Sequence, residues 1–215
     1  MKIKLISLDV DGCLVAYKNI RSRFESSWDA LGCAYGLKDR WDKRIDKFYG
    51  RKNSDLEWAN QDTADLINLP VKTAEKFLFP LPYSPGAREF ARASKGKLLR
   101  GLLTTSIDLV AEKAQEELEL DFSFCNVLNR NNGFFTGTLD YNVPIWRKHK
   151  KIGEICRQYS IIPEEICHVG DNENDISVGR KVGLFIAFNP KKEEVANNAK
   201  HVIHDFRELI KIFGF

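Results

Sequence analysis

Ile3-Lys4-Leu5-Ile6-Ser7-Leu8-Asp9-Val10-Asp11-Gly12 is an apolar run that ends in two carboxylates and a glycine. A short run of this kind, Lys2 to Leu8, reads as a buried parallel strand. Alternate side chains of a strand share a face, so Asp9 and Asp11 are expected to project the same way. Like charges that close disfavour ionisation unless a cation or a substrate compensates them. The pair is poor structure, and its place at a strand end points to chemistry.

Outward from that strand the character changes. From about Tyr17 to Leu78 apolar residues recur at helical spacing: Trp28, Leu31 and Tyr35, then Trp41, Ile45, Phe48 and Tyr49. Ser54-Asp55-Leu56-Glu57 carries a capping-box signature for a third helix, with Leu56, Ala59, Thr63 and Leu66 on one face. A short fourth helix is expected over Val71 to Leu78, and Pro80, Pro82 and Pro85 then mark a second region. There strands and helices alternate. Strands are expected at Leu98 to Leu103, Ile166 to Val169, Leu184 to Phe188 and His201 to Ile203. Helices are expected at Ala87 to Ala93, Leu109 to Leu118, Lys150 to Tyr159 and Phe206 to Ile212. Cys125 to Leu128 and Phe134 to Leu139 read as a hairpin around Asn131-Asn132-Gly133. The pattern predicts an α/β fold with a doubly wound, mostly parallel sheet, interrupted early by a helical insertion. The core is expected over residues 1–16 and 80–215, and the insertion over 17–79.

Bulk properties narrow the function. A chain of 215 residues with 43% hydrophobic and 29% charged residues reads as a soluble globular protein. Its net charge of +3 is too weak to imply nucleic acid and is compatible with small anionic substrates. No apolar run approaches the roughly 18 residues that span a bilayer. The residues before Asp9 are too few for a secretory signal. Five scattered cysteines without CxxC spacing argue against a disulfide framework or a zinc site, so a reducing compartment, the cytoplasm, is expected. Oligomeric state is left open.

In open α/β sheets ligands bind beyond the carboxyl ends of the strands. Asp9 and Asp11 follow the first strand, Thr104 follows the second, and Gly170-Asp171-Asn172-Glu173-Asn174-Asp175 follows Ile166-Cys167-His168-Val169. Four Asp carboxylates and a hydroxyl are thus offered to one crevice, an oxygen-only set that suits Mg²⁺.

These residues carry a resemblance. Asp9-Val10-Asp11-Gly12-Cys13, Thr104 at the end of Gly101-Leu102-Leu103, Lys148 (or Lys150 or Lys151) one helix upstream, and Gly170-Asp171 through Asp175 occur in the order of four motifs. In this the chain resembles the haloacid dehalogenase-type hydrolases, in the branch that contains phosphoserine phosphatase, with a Rossmann-like core and a helical cap. The resemblance implies an Mg²⁺-dependent phosphatase of a small phosphorylated metabolite. Asp9 would be nucleophile and metal ligand, and Asp11 general acid and base, also binding the metal through its backbone carbonyl. Asp171 would be a metal ligand, with Asp175 and Asn174 supporting the metal shell. Thr104 would bind the phosphate, with Thr105 and Ser106 competing for that role. Lys148 would neutralise charge on nucleophile and phosphate. Phosphotransfer or mutase chemistry on the same aspartate, or a non-catalytic phosphate-sensing module, are the alternatives.

Two departures from the family pattern stand out. Cys13 replaces the usual Thr or Ser. The Glu and Arg that hold the amino and carboxylate groups of phosphoserine have no counterpart: Tyr17 to Arg23 contains no acid, Glu25 is late, and Thr63 falls where the Arg belongs. Phosphoserine is therefore disfavoured. Lys18, Arg21 and Arg23 read either as solvated charges or as contacts to an anionic substrate. Trp28, Trp41 and Trp58 read as packing within the insertion in preference to surfaces on which a substrate stacks.

Overall fold

The computed structural model describes residues 2–20, 23–51 and 53–215. Seven strands form one sheet: β1 (Leu5–Leu8), β2 (Leu99–Ile107), β3 (Phe122–Asn131), β4 (Phe134–Asp140), β5 (Ile166–Gly170), β6 (Leu184–Phe188) and β7 (His201–Ile203). Their order is β4-β3-β2-β1-β5-β6-β7, parallel throughout except for β4. The chain winds outward from β1 in both directions, so the crevice at which ligands bind in such sheets lies at its carboxyl end. Asp9 is the next residue.

Strand alternation builds both faces. Ile6 and Leu8 of β1 pack into one apolar cluster with Leu102, Cys167 and Val169. Leu5 packs into the other with Leu103 and Ile166. Helices α5 (Ala87–Ser94), α6 (Asp108–Glu117) and α10 (Arg207–Phe213) cover the first face through Phe90, Val110 and Leu209. Helix α7 (Ile152–Tyr159) covers the second through Ile152 and Ile155, joined by Val178 of α8 (Glu173–Gly179). The short helix α9 (Glu193–Asn198), which the sequence reading did not anticipate, buries only Val195. The early insertion supplies α1 (Ser27–Ala34), α2 (Lys38–Phe48), α3 (Asp55–Ala64) and α4 (Val71–Leu78).

Several local expectations are corrected. Strand β2 runs on to Ile107, so Thr104, Thr105 and Ser106 lie within it, next to a register shift against β3 between Leu103 and Ile107. The ladder to β3 is interrupted over the three hydroxyl residues and resumes at Ile107. Strand β3 begins earlier than the hairpin pattern, because Phe122 to Phe124 pair in parallel with β2 before Val127 to Asn131 pair antiparallel with β4. The hairpin itself is as read: Asn131 faces Phe134 across Asn132 and Gly133, both at positive φ (49° and 82°). Ser54 caps nothing; its hydroxyl donates to the carbonyls of Phe48 and Arg51 at the end of α2. Leu56 faces solvent, leaving Ala59, Thr63 and Leu66 as the buried side of that region. The helix expected from Lys150 starts at Ile152, preceded by a 3₁₀ segment, Ile145–Lys151, with a kink at Arg147. All five cysteines are free. Cys13 is buried, and burial pushes its thiol well above the ordinary range, which leaves it inert.

Candidate active site

Beyond β1 the chain stays tied to β5, since the Asp9 amide donates to Val169 O (2.9 Å). The loop then turns at Gly12 (φ +80°), where an added Cβ would sit 2.4 Å from Asp171 Oδ2. Glycine is needed there twice, for its φ and for the close approach that brings the first acidic loop against the second.

Lys148 is fully buried, with its Nζ 2.9 Å from Asp9 Oδ1 and 2.6 Å from Asp175 Oδ1. Burial alone would lower its pKa, but the charges of Asp175 and Asp9 outweigh burial and hold it above the usual lysine range. Of the three lysines considered, this one reaches the site; Lys151 pairs with Glu154 (2.8 Å), and Lys150 is exposed. Asp175, in the first turn of α8, accepts four bonds. Its Oδ1 takes Lys148 and His168 Nε2 (3.0 Å), and its Oδ2 takes the amides of Asp171 and Asn172 (3.1 Å each). Burial works against its charge, yet Lys148 and His168 hold its carboxyl below the ordinary range.

Asp171 is the contrasting case. It is 2% exposed, and its Oδ1 has no hydrogen-bond partner. Burial, then the charges of Asp9 and Asp175, push its carboxyl well up; burial and Asp175 likewise raise Asp9, against the opposing pull of Lys148. Asp9, Asp171 and Asp175 each place an oxygen within 4.8 Å of the others. Because the oxygens of Asp175 are already bonded to four donors, Asp9 and Asp171 are the pair with capacity left. A buried orphan oxygen and an oxygen-only donor set fit a hard divalent cation.

Asp9 and Asp11 do not share partners, because β1 ends at Leu8 and strand alternation stops with it. Asp11 turns toward the insertion and accepts from the amide and hydroxyl of Ser27, the first residue of α1, at 2.8 Å each. Burial raises its carboxyl to about 7 against the pull of those two bonds, with the Asp9 charge adding to the rise. Ser106 Oγ lies 2.8 Å from Ser27 Oγ. Thr104 is fully buried, accepts from the Ser106 amide (3.1 Å), and its side chain bonds toward Asp9. Thr105 instead lines the space above, where its carbonyl accepts from Trp28 Nε1 and Asn126 Nδ2 (3.1 Å each).

That space is a chamber of about 130 Å³ between the floor just described and the helical insertion. Asn174 lines it, with a buried Oδ1 that has no partner. Trp28, Trp41 and Trp58 pack against their neighbours, as read, and also line the chamber. Tyr141 and Trp146, from the segment after β4, complete the wall from the core side. Of the cations beyond the first loop, Lys18 is exposed and Arg23 pairs with Asp46 at the surface (2.6 Å). Arg21 lies outside the described residues.

Residues 3–183 match the haloacid dehalogenase-like hydrolase family. The chain belongs to that family. It is 29% identical to the phosphoserine phosphatase of Methanocaldococcus jannaschii, over 98% of this chain and 97% of that one. It is 28% identical to that of Archaeoglobus fulgidus, over 88% of this chain, and the match spans only 53% of that enzyme. A structure of a phospho-aspartyl intermediate analogue of phosphoserine phosphatase superimposes with a TM-score of 0.81 at 27% identity, covering 99% of both chains. The chain is thus a phosphoric monoester hydrolase in class, phosphoserine phosphatase-like in fold.

Within this haloacid dehalogenase-like framework, residues that local motifs did not reveal support the floor. His168 stands between Asp175 and Ser7, whose Oγ is 2.9 Å from His168 Nδ1. Ser7 and His168 are register partners on β1 and β5, and both are fully buried. The signal for them was a polar residue placed mid-way in each of two apolar strands. Ser27 carried no such signal, since its meeting with Asp11 and Ser106 depends on how the insertion folds back. At the positions where phosphoserine recognition was sought, Thr63 Oγ1 donates to Ala59 O of its own helix (2.9 Å), and Glu25 pairs with Lys191 (2.9 Å).

Proposed function

We propose that the chain is an Mg²⁺-dependent phosphatase of a small phosphomonoester, working through a phosphorylated Asp9, with residues 17–79 as the cap over a core of 1–16 and 80–215. The observation that carries this is the buried ammonium of Lys148 beside Asp9 Oδ1 at 2.9 Å, on a floor of crowded carboxylates beneath the chamber that the insertion roofs. Asp9 attacks phosphorus, and the bond to the leaving oxygen breaks as Asp11 gives that oxygen its proton. Asp11, now ionised, takes a proton from water, whose oxygen attacks phosphorus and releases Asp9. Thr104 donates to a phosphoryl oxygen, with Thr105 at the edge of the same pocket, and Lys148 offsets the negative charge on Asp9 and the phosphoryl group. Asp175 and His168 position Lys148. Asp9, Asp171 and the Asp11 carbonyl would hold Mg²⁺, with Asn174 and Asp175 beside them, and the ion would supply positive charge to offset the negative charge on the transferring group. Phosphoserine is not the preferred ester, because its carboxylate would enter a chamber without a cation among the described residues.

The test is Mg²⁺-dependent release of phosphate from p-nitrophenyl phosphate, with borohydride trapping during turnover. An acyl phosphate at position 9 is reduced to homoserine, which peptide mass spectrometry reads. No trapped product, or one that persists in Asp9→Asn, overturns the mechanism.

A further inference from the structure

We propose that the chamber selects a phosphomonoester whose alcohol part is a compact organic cation, held by an aromatic wall and the carboxylate of Asp55. The inference rests on the phosphatase reading above and names the substrate class for that site.

All four tryptophans of the chain line this one chamber, joined by Phe24, Tyr49 and Tyr141. The polar ends of several rings are already engaged. Trp41 Nε1 donates to Asp65 Oδ2 (3.1 Å), Tyr49 Oη to Glu173 Oε2 (3.2 Å) and Tyr141 Oη to Asp55 Oδ2 (3.0 Å), while Trp28 is held by Thr105. What these rings offer a ligand is carbon surface and π-electron density, and the face of an aromatic ring attracts a cation.

Charge on the wall points the same way. Among the described residues no lysine, arginine or histidine lines the chamber. Nearby cap cations are committed elsewhere: Lys38 lies between Asp29 and Asp42, and Arg44 between Asp62 and Asp65. A substrate carboxylate or second phosphate would therefore be buried without a partner, which is strongly unfavourable. Asp29 and Asp62 also line the chamber, each with its own cation. Asp55 differs. It is 3% exposed and bonded by Tyr141, and among the described residues no cation pairs with it. Its seat in the first turn of α3 stabilises the anion without neutralising it. The missing counter-ion is supplied by a ligand.

Size sets the last bound. A cavity of about 150 Å³ admits a benzene ring, so the part of the ester seated among the rings of this chamber of about 130 Å³ is compact.

The experiment compares initial rates of the Mg²⁺-loaded protein on p-nitrophenyl phosphate, phosphocholine, phosphoethanolamine, O-phosphoserine and phosphoglycolate. The cationic esters should exceed O-phosphoserine and phosphoglycolate in kcat/KM by about tenfold or more. Asp55→Asn should lower the ratio of phosphocholine to p-nitrophenyl phosphate kcat/KM by about tenfold. Equal or better rates with the carboxylate-bearing esters overturn the proposal. If p-nitrophenyl phosphate itself is not hydrolysed, the phosphatase reading fails separately, and the chamber is judged by binding. Tetramethylammonium should then change the fluorescence of the wall tryptophans saturably, and uncharged tert-butanol should not; no saturable change, or the same change with both, overturns the cation site.

Discussion

Asp9, Asp171 and Asp175 on the chamber floor crowd three carboxylates around one ammonium, whereas the wall presents indole and phenol rings whose polar ends are largely hydrogen-bonded. The floor keeps a buried oxygen of Asp171 without a partner and raises two carboxyl pKa values. It holds repulsion in reserve for a ligand to relieve. The wall holds less: Asp29 and Asp62 each face a cation, and among the described residues Asp55 is the lining carboxylate of the insertion that does not. Substitutions on the floor should therefore separate chemistry from stability, and substitutions on the wall should change which ligand is taken.

The hardest test of this contrast is Asp9→Asn. Turnover of p-nitrophenyl phosphate should fall by about 10⁴-fold or more, while the melting temperature without Mg²⁺ should not fall, because a crowded charge has been removed. A clear drop in melting temperature would show that the floor is not under electrostatic stress. Lys148→Met removes the one ammonium and leaves two buried carboxylates facing each other. Unfolding in urea at pH 7 should show a loss of about 3–5 kcal/mol; a loss far smaller would mean that Asp9 and Asp175 simply take up protons. Mg²⁺ at a hundred times its dissociation constant should stabilise the wild type by about 2.7 kcal/mol, and Asp171→Asn should lose most of that increment in a thermal scan. On the wall, Trp58→Ala should raise KM by about tenfold and lower kcat by less, the pattern of lost binding that ground and transition states share.

The smallest effect concerns Asp62, which burial pushes up to about 7 despite its bond to Arg44 (2.7 Å). Between the unfolded value near 3.8 and 7 the native state holds the extra proton, so stability falls as pH rises through that window. Asp62→Asn should flatten this slope, read as the difference between urea midpoints at pH 5 and pH 7.5.

Part of the floor was legible in sequence because Asp9 and Asp171 directly follow β1 and β5, where one parallel sheet gathers them whatever the loops do. Thr104 was reached by the same counting although it lies inside β2, and Lys148 stood beside Lys150 and Lys151 only as what the family resemblance implied. The wall was not legible in the same way. Trp28, Trp41 and Trp58 recur at helical spacing whether they face a core or a cavity, and Tyr141 and Trp146 meet them only after the hairpin of β3 and β4 brings the chain round. His168 and Ser7 were hidden for another reason: a polar residue inside an apolar strand shows itself only when its cross-strand partner is known. Ser54 misled because its hydroxyl, which normally accepts at a helix start, donates to carbonyls of the preceding turn instead.

Ser27 gives both of its donors to Asp11 and is also the first residue of α1. In the proposed reaction the proton donor is thus tied to the insertion through Ser27, while the nucleophile is tied by its amide to β5. The acid of that reaction is therefore oriented by the same helix that lines the chamber, so a change in α1 that alters which ester fits would also be felt at the carboxyl of Asp11.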